Sequence, residues 1–176
     1  MADPGDLYAA CAELLDASIE ALDTIPGFLA PLEGAPERAY VSPGEPALDC
    51  CDQLTVHAQT ITEKPTLPAV TGRDVIGGRI NLVGFVVTIA RCVPVPDEMG
   101  NPPAVEDLQA AADQVDADAW ALWNHLYNLW RADQLFTLCG EVFWDGMRAL
   151  TASGGCGGWV LSLRARLDGY EEVIGS

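Results

Sequence analysis

The sequence lacks an apolar segment long enough to cross a membrane. No run of 18 apolar residues occurs, and the most apolar stretch, Ile80 to Ala90, is interrupted by small and polar residues. The first residues include Asp3 and Asp6, at positions where a signal peptide carries Lys or Arg. We therefore expect no membrane span and a protein that stays in the cytoplasm of the cell that makes it.

Basic residues are scarce as well. Only 9 Lys and Arg stand against 26 Asp and Glu, which gives a formal net charge of −17. The resulting negative field repels phosphate backbones and anionic lipid headgroups, so it disfavours DNA binding through a basic patch. The simplest interpretation is that the charge serves solubility. A more specific one is a surface past which DNA slides without sticking.

The spacings that metal and phosphate sites require are missing. There is no CxxC pair, and His57 and His125 lie far apart, so no zinc site is predicted. Adjacent Cys50 and Cys51 would point to opposite faces of a strand, and cytoplasmic synthesis favours free thiols, so we interpret the cysteines as small core residues. The glycine-rich segment 154–158 precedes a strand and lacks a following Lys-Ser or Lys-Thr, which argues against a P-loop.

Catalytic constellations are not found either. No Gly-x-Ser-x-Gly elbow occurs, and neither histidine has a neighbouring nucleophile in the sequence. We expect His57 to be solvated or to contact another subunit. The acidic cluster Asp113, Asp116 and Asp118 is typical of a solvated helix face. We therefore predict no catalytic, cofactor-binding or metal-binding residues and a protein that is not an enzyme.

The length and composition predict one folded domain over residues 1–176. Hydrophobic residues make up 49% and charged residues 20%, which is typical of a globular chain. Apolar residues at three- and four-residue steps predict a helix from Asp6 to Thr24 and a longer one from Ala104 to Arg131.

The long helix has two kinds of apolar residue. One stripe repeats at helical spacing, while aromatic rings spread beyond it, so we expect some rings to cover a second layer or to be buried by a partner chain. The stripe is Val105, Leu108, Ala112, Val115, Ala119, Leu122 and Leu126, and the rings are Trp120, Trp123, Tyr127 and Trp130.

Period-two alternation predicts the strands. Arg79 to Val93 is apolar on both faces, so it should be central in a sheet or lie under a helix and a neighbouring subunit. The other predicted strands are Arg38 to Val41, Cys51 to Ile61, a short strand and turn at Phe143 to Gly146, and Trp159 to Leu167, with a small-residue loop at Thr151 to Gly158. This order predicts an α+β fold, a mixed or antiparallel sheet with the N-terminal helix and the long helix packed on one face.

The order of these segments resembles the tail terminators of actinobacterial phages with long, non-contractile tails. The resemblance spans nearly the whole chain and rests on five segments: Tyr8 to Cys11, Pro46 to Val56, Ile89 to Pro94, Trp120 to Leu126 and Gly155 to Tyr170. It implies a structural virion protein of the tail and neck, made in the host cytoplasm.

In that family the protein forms a ring of its own copies, a hexamer, on the completed tail tube. The resemblance therefore implies that the chain stops tube polymerisation and joins the tail to the head connector or stopper. Its partners would be its own copies, the tail tube protein and that connector, with viral DNA passing through the lumen without sequence-specific binding.

The family does not identify contact residues, so we infer them from the loops. Glu63 to Gly78 looks like a long hairpin connection, and Pro94 to Pro103 is a proline-rich loop. Arg164 and Arg166 should point outward from the last strand, towards acids of the next subunit. The candidate interface residues are Glu63, Lys64, Arg73, Asp74, Asp97, Glu98, Arg164 and Arg166.

Three other functions are compatible with parts of this pattern. A head-to-tail adaptor or stopper of the same neck shares composition and ring symmetry. An acidic host-directed binding module would suit the charge, and it predicts a monomer or dimer with its acids on one exposed face. An enzyme would need a pocket in which His57 or a cysteine has a partner.

Overall fold

The computed structural model describes residues 4–24, 34–47, 52–65, 79–137, 139–153 and 155–167. They form a five-stranded sheet in the order β1-β2-β3-β5-β4, in which only β1 and β2 are parallel and the other neighbours are antiparallel. The elements are α1 (Pro4–Thr24), β1 (Arg38–Val41), β2 (Gln53–Pro65), β3 (Arg79–Cys92), α2 (Val105–Arg131), β4 (Cys139–Ser153) and β5 (Cys156–Leu167). The predicted α+β fold is confirmed.

Both helices pack on the same face of the sheet and form one hydrophobic core with it. Leu14 and Leu22 of α1 and Leu122 and Leu126 of α2 are fully or almost fully buried, as their helical spacing predicts. The sheet contributes alternate residues of its three inner strands: Leu54, Val56, Val83, Phe85, Val87, Ile89, Leu161, Leu163 and Ala165. We call this the helix-covered face, and the other side of the sheet the opposite face.

Strand β3 is the centre of the sheet, as its two apolar faces predicted. It pairs with β2 along one side and with β5 along the other. Phe85 and Ile89 lie in the core under the helices, while Leu82 and Val86, on the opposite face, are also buried. This strand therefore has the burial on both faces that its continuous apolar run requires.

The prediction for β4 was wrong in length. The expected short strand and turn at Phe143 to Gly146 is part of a 15-residue edge strand, and β5 already begins at Cys156, inside the expected loop. Gly146, at φ 124°, lies where the β4–β5 register shifts. Trp144 and Met147 are three residues apart, so in a regular strand they would point to opposite faces. The bulge inserts one residue between them, and both therefore contact the core.

The prediction of free thiols was wrong for Cys156, which is disulfide-bonded. Cys11, Cys92 and Cys139 are not part of a disulfide. Synthesis in a reducing compartment suggested free thiols throughout, but sulfur separation depends on the tertiary fold, which spacing along the chain does not show. Burial raises the pKa of Cys11 to about 11, so this thiol stays protonated near neutral pH. Cys50 and Cys51 lie outside the described residues.

A buried arginine joins the helix layer to the sheet. The guanidinium of Arg91, on β3, donates from Nε to Asp118 Oδ2 on α2 and from Nη1 to Asp52 Oδ1 before β2, both at 2.7 Å. Its Nη2 donates to the carbonyl oxygen of Gly34. Burial alone would lower the pKa of Arg91, but the hydrogen bonds and charges of Asp118 and Asp52 outweigh it and leave the pKa raised. The guanidinium therefore remains charged inside the protein.

Replacement of Asp118 by alanine should strongly destabilise the fold. The variant leaves the buried Arg91 with one carboxylate instead of two, and breaking a buried ion pair costs about 3 kcal/mol or more. Urea unfolding followed by tryptophan fluorescence measures the change. The exposed neighbour Asp116 is the control, since Asp116→Ala should change the free energy of unfolding by less than about 0.5 kcal/mol. Equal losses in the two variants would contradict a structural role for the Arg91 network.

Gly158 should tolerate no side chain. A Cβ atom there would collide with the carbonyl oxygen of Ile89 and lie 3.0 Å from the Ala90 Cα, so β3 and β5 would have to separate. We expect Gly158→Ala to cost about 1 to 3 kcal/mol in urea unfolding, as overpacked sites do. A Cβ atom at Gly44 would meet no other atom within 4 Å, so Gly44→Ala is the control that should leave stability nearly unchanged. A loss of similar size in both variants would argue against a steric cause.

Candidate functional site

The predicted contact residues divide between the two ends of β3. Glu63 and Lys64, expected in a loop, are strand residues of β2 and pair in register with Asn81 and Ile80 near the start of β3. The expected connection is therefore shorter than Glu63 to Gly78. Arg73 and Asp74 lie outside the described residues, and their predicted role stays a prediction.

Asp97 and Glu98 lie beyond the other end of β3. Both are exposed in the loop that follows Cys92, as the prolines predicted. The Asp97 carboxylate accepts hydrogen bonds from the Met99 and Asn101 backbone N–H groups and from the Asn101 side chain, which closes a tight turn. The hydrogen bonds from Asn101 lower the pKa of Asp97. Since β3 has 14 residues, about 45 Å separate this loop from the Glu63 end of the sheet.

The two predicted interface arginines lie on β5. Arg164 forms a two-pronged ion pair with Asp145 of its own chain, with Nε 2.8 and 2.9 Å from the carboxylate oxygens. Its hydrogen bonds and charge interaction with Asp145 raise the pKa of Arg164. Arg166 lies opposite Leu82 and is half-buried. Pairing of either arginine with a neighbouring subunit stays a prediction, and Arg164 would have to share its existing partner.

The first half of α2 projects from the body of the protein. The helix is about 40 Å long, but its buried residues begin only at Ala117. Residues 105–116, which we call the α2 arm, expose Val105 by 74% and Leu108 by 44%. The predicted apolar stripe is thus core only in its second half, at Ala119, Leu122 and Leu126. In the first half, Val105, Leu108 and Ala112 of the stripe are exposed and Val115 is half-buried.

The aromatic rings of α2 have two different environments. Trp123, Tyr127 and Trp130 surround Trp144 of β4 at centroid distances of 5.1, 5.7 and 6.2 Å, respectively. The Trp130 indole also donates to the Val142 carbonyl at 2.9 Å. These three rings therefore pack on the edge strand β4 of their own chain and do not need a partner chain to cover them. Trp120, in contrast, is 58% exposed.

A cavity of about 170 Å³ opens on the opposite face of the sheet. It lies across β2, β3, β5 and β4, beside the loop that follows β1. Its lining residues are Glu45, Pro46, His57, Gln59, Val86, Thr88, Arg148, Leu150, Val160 and Ser162. Apolar and polar side chains alternate along this surface, with the exposed Arg148 and Glu45 as its charged residues.

Of the two alternatives expected for His57, the solvated side chain was wrong, and contact with another subunit stays a prediction. Its side chain lines the cavity but is only 4% exposed, and the neighbouring polar residues Gln53 and Thr55 are fully buried. The alternation of β2 was predicted correctly, but its polar face is covered. His57 Nδ1 has no hydrogen-bond partner among the described residues. Burial lowers the pKa of His57, and the charge of Glu45 raises it by less.

The cavity has hydrogen-bonding groups but no assembled catalytic set among its described residues. Ser162 and His57 both line it, but no hydrogen bond joins them, and no carboxylate is hydrogen-bonded to the imidazole. Within the described ranges, no group of three His, Cys, Asp or Glu residues is arranged to bind a metal ion. None of the described helices combines the length and apolarity needed to cross a membrane.

Charge is segregated between the two layers of the fold. The two helices together contain ten acidic residues and one basic residue, Arg131. The five strands contain seven basic and three acidic residues. The excess of acidic residues in the sequence is thus concentrated in the helix layer and in the loops. The strands together have a net positive charge.

No protein-family model matches the chain, and no curated protein matches its sequence.

His57 should make stability depend on pH. Because burial lowers its pKa below the ordinary 6.5, the unfolded chain binds the proton more readily than the folded one. The stabilisation that comes from burying the neutral His57 imidazole is fully present above pH 6.5. It is lost as the pH falls below that value. The free energy of unfolding should therefore fall less steeply between about pH 7 and pH 5 in His57→Gln than in the wild type.

The matched variant for this prediction is Glu45→Gln. It removes the charge that raises the pKa of His57, so it should deepen the loss of stability at low pH. Parallel urea titrations at each pH compare the three proteins. Identical pH profiles in the wild type and His57→Gln would show that His57 does not contribute.

Proposed function

We propose that the protein is a structural virion protein that forms a ring of its own copies at the top of a phage tail tube. The ring stops polymerisation of the tube and joins the tail to the head connector, and the genome passes through its centre. The resemblance described above suggests this role. The observation that supports it best is the position of the candidate contact residues at the two ends of the sheet.

A subunit placed between a tube and a connector needs two contact surfaces that face in opposite directions. Glu63 and Lys64 lie at one end of the sheet, and Asp97 and Glu98 lie beyond the other end. About 45 Å of β3 separates them. Each subunit of the ring would therefore contact the tube through one end of its sheet and the connector through the other end.

The unpartnered surfaces of the chain also favour assembly. The α2 arm and Trp120 expose apolar side chains that no described residue covers. Exposed apolar patches on soluble chains commonly mark interaction sites. A net charge of −17 suits a lumen through which DNA must pass without binding.

One rival function has an observation in its favour. An acidic host-directed binding module would present its acids on one exposed face, and the helix layer has ten acidic residues against one basic residue. Such a module would act as a monomer or dimer. The two functions therefore differ in the mass of the assembled protein.

The test is the mass of the purified protein together with electron micrographs of the protein incubated with tail tubes. We expect a ring-sized oligomer, or a monomer of 18.7 kDa that assembles into a single ring at tube ends. A monomer that ignores tubes but binds a portal complex would favour an adaptor or stopper instead. A monomer or dimer indifferent to both would exclude a role in the neck.

A further inference from the structure

The α2 arm has the properties of a surface that docks into another protein. Residues 105–116 combine an apolar stripe, which includes Val105 and Leu108, with four acidic residues and no basic one. An apolar stripe of this kind on an isolated helix is normally buried against a partner. The buried residues of the helix begin only at Ala117, so the arm extends about 18 Å before them.

The cavity on the opposite face has an exposed positive charge and unused hydrogen-bonding capacity. Most of its accessible lining is polar, and Val86 and Val160 beneath it are buried. Arg148 is exposed at its β4 side and has no ion pair among the described residues. His57 Nδ1, which no described residue binds, leaves hydrogen-bonding capacity in the cavity unused.

We propose that the α2 arm of one copy docks over the His57 cavity of the next copy. The acidic residues of the arm would face Arg148, at the β4 side of the cavity and away from Glu45 on the loop after β1, and the apolar stripe would be buried between the two copies. The segregation of charge supports this pairing, since an acidic helix layer would meet strands with a positive balance. A DNA duplex or an acidic partner would be repelled by the arm.

The positions of the two surfaces determine the kind of assembly. The arm belongs to the helix layer, while the cavity lies on the opposite face of the sheet, so the two surfaces are different patches of one molecule. A contact between them is heterologous, and repeated heterologous contacts form a ring when the rotation closes. This inference rests on the proposed function, because it specifies how the proposed ring is assembled.

Two variants test the two surfaces separately. Leu108→Asp places a charge in the apolar stripe of the arm, and Arg148→Glu reverses the charge beside the cavity; both residues are exposed enough for the fold to be kept, which circular dichroism verifies. Each variant alone should lose the ring and stay at the monomer mass of 18.7 kDa in native mass spectrometry, with or without tail tubes. Tyr8→Asp on α1 and Arg131→Glu at the end of α2 are the matched controls and should keep the ring.

Mixing the two variants distinguishes a heterologous contact from a symmetric one. The intact arm of Arg148→Glu can still dock on the intact cavity of Leu108→Asp, but the resulting pair has no further intact surfaces to join. An equimolar mixture should therefore form dimers and stop there. No dimer in the mixture would overturn the proposed pairing.

The outcomes also separate this inference from the proposed function. A wild-type ring that persists in both variants would place the subunit contact elsewhere and leave the ring function standing. Loss of the ring in the control variants as well would show that the contact is not specific to the arm and the cavity. A wild type that forms no ring even on tail tubes would contradict both proposals.

Discussion

The buried guanidinium of Arg91 is the interaction on which the arrangement of the layers depends. A charged group in the core is tolerated only when its donors are paired, and Arg91 achieves this by binding three separate parts of the chain. Asp118 belongs to α2, Asp52 precedes β2, and Gly34 lies ahead of β1. Because these partners come from different parts of the fold, displacement of any one of them removes a hydrogen bond from the buried guanidinium.

This network also determines where α2 meets the sheet. Asp118 lies at the first buried turn of the helix, and Gln114 Nε2 donates to it from the preceding turn at 2.9 Å. From Ala117 onward, the helix is packed against the sheet and α1, and before that point its residues are exposed or half-buried. The α2 arm therefore begins where the Arg91 contact ends. A helix anchored at its middle can present its free half to another molecule without loss of its own core.

The two faces of the sheet have different physical roles. One is covered by helices and supplies most of the core, while the other combines buried polar residues of β2 with a cavity that reaches the edge strand β4. The bulge at Gly146 contributes to this difference, because it keeps Trp144 and Met147 in the core and leaves Arg148 on the cavity side.

The sequence by itself determined the elements whose pattern is local. The helices, the short strand β1 and the doubly apolar β3 follow from residue spacing, since periodicity shows which residues share a face. Periodicity does not show what covers that face. Only the tertiary structure decided that the polar face of β2 buries His57, that the apolar stripe of α2 is core in one half and exposed in the other, and that Arg164 has a partner in Asp145. The pairing of Cys156 and the length of β4 likewise depend on contacts between residues far apart in the chain, where spacing along the sequence contains no information about distance in space.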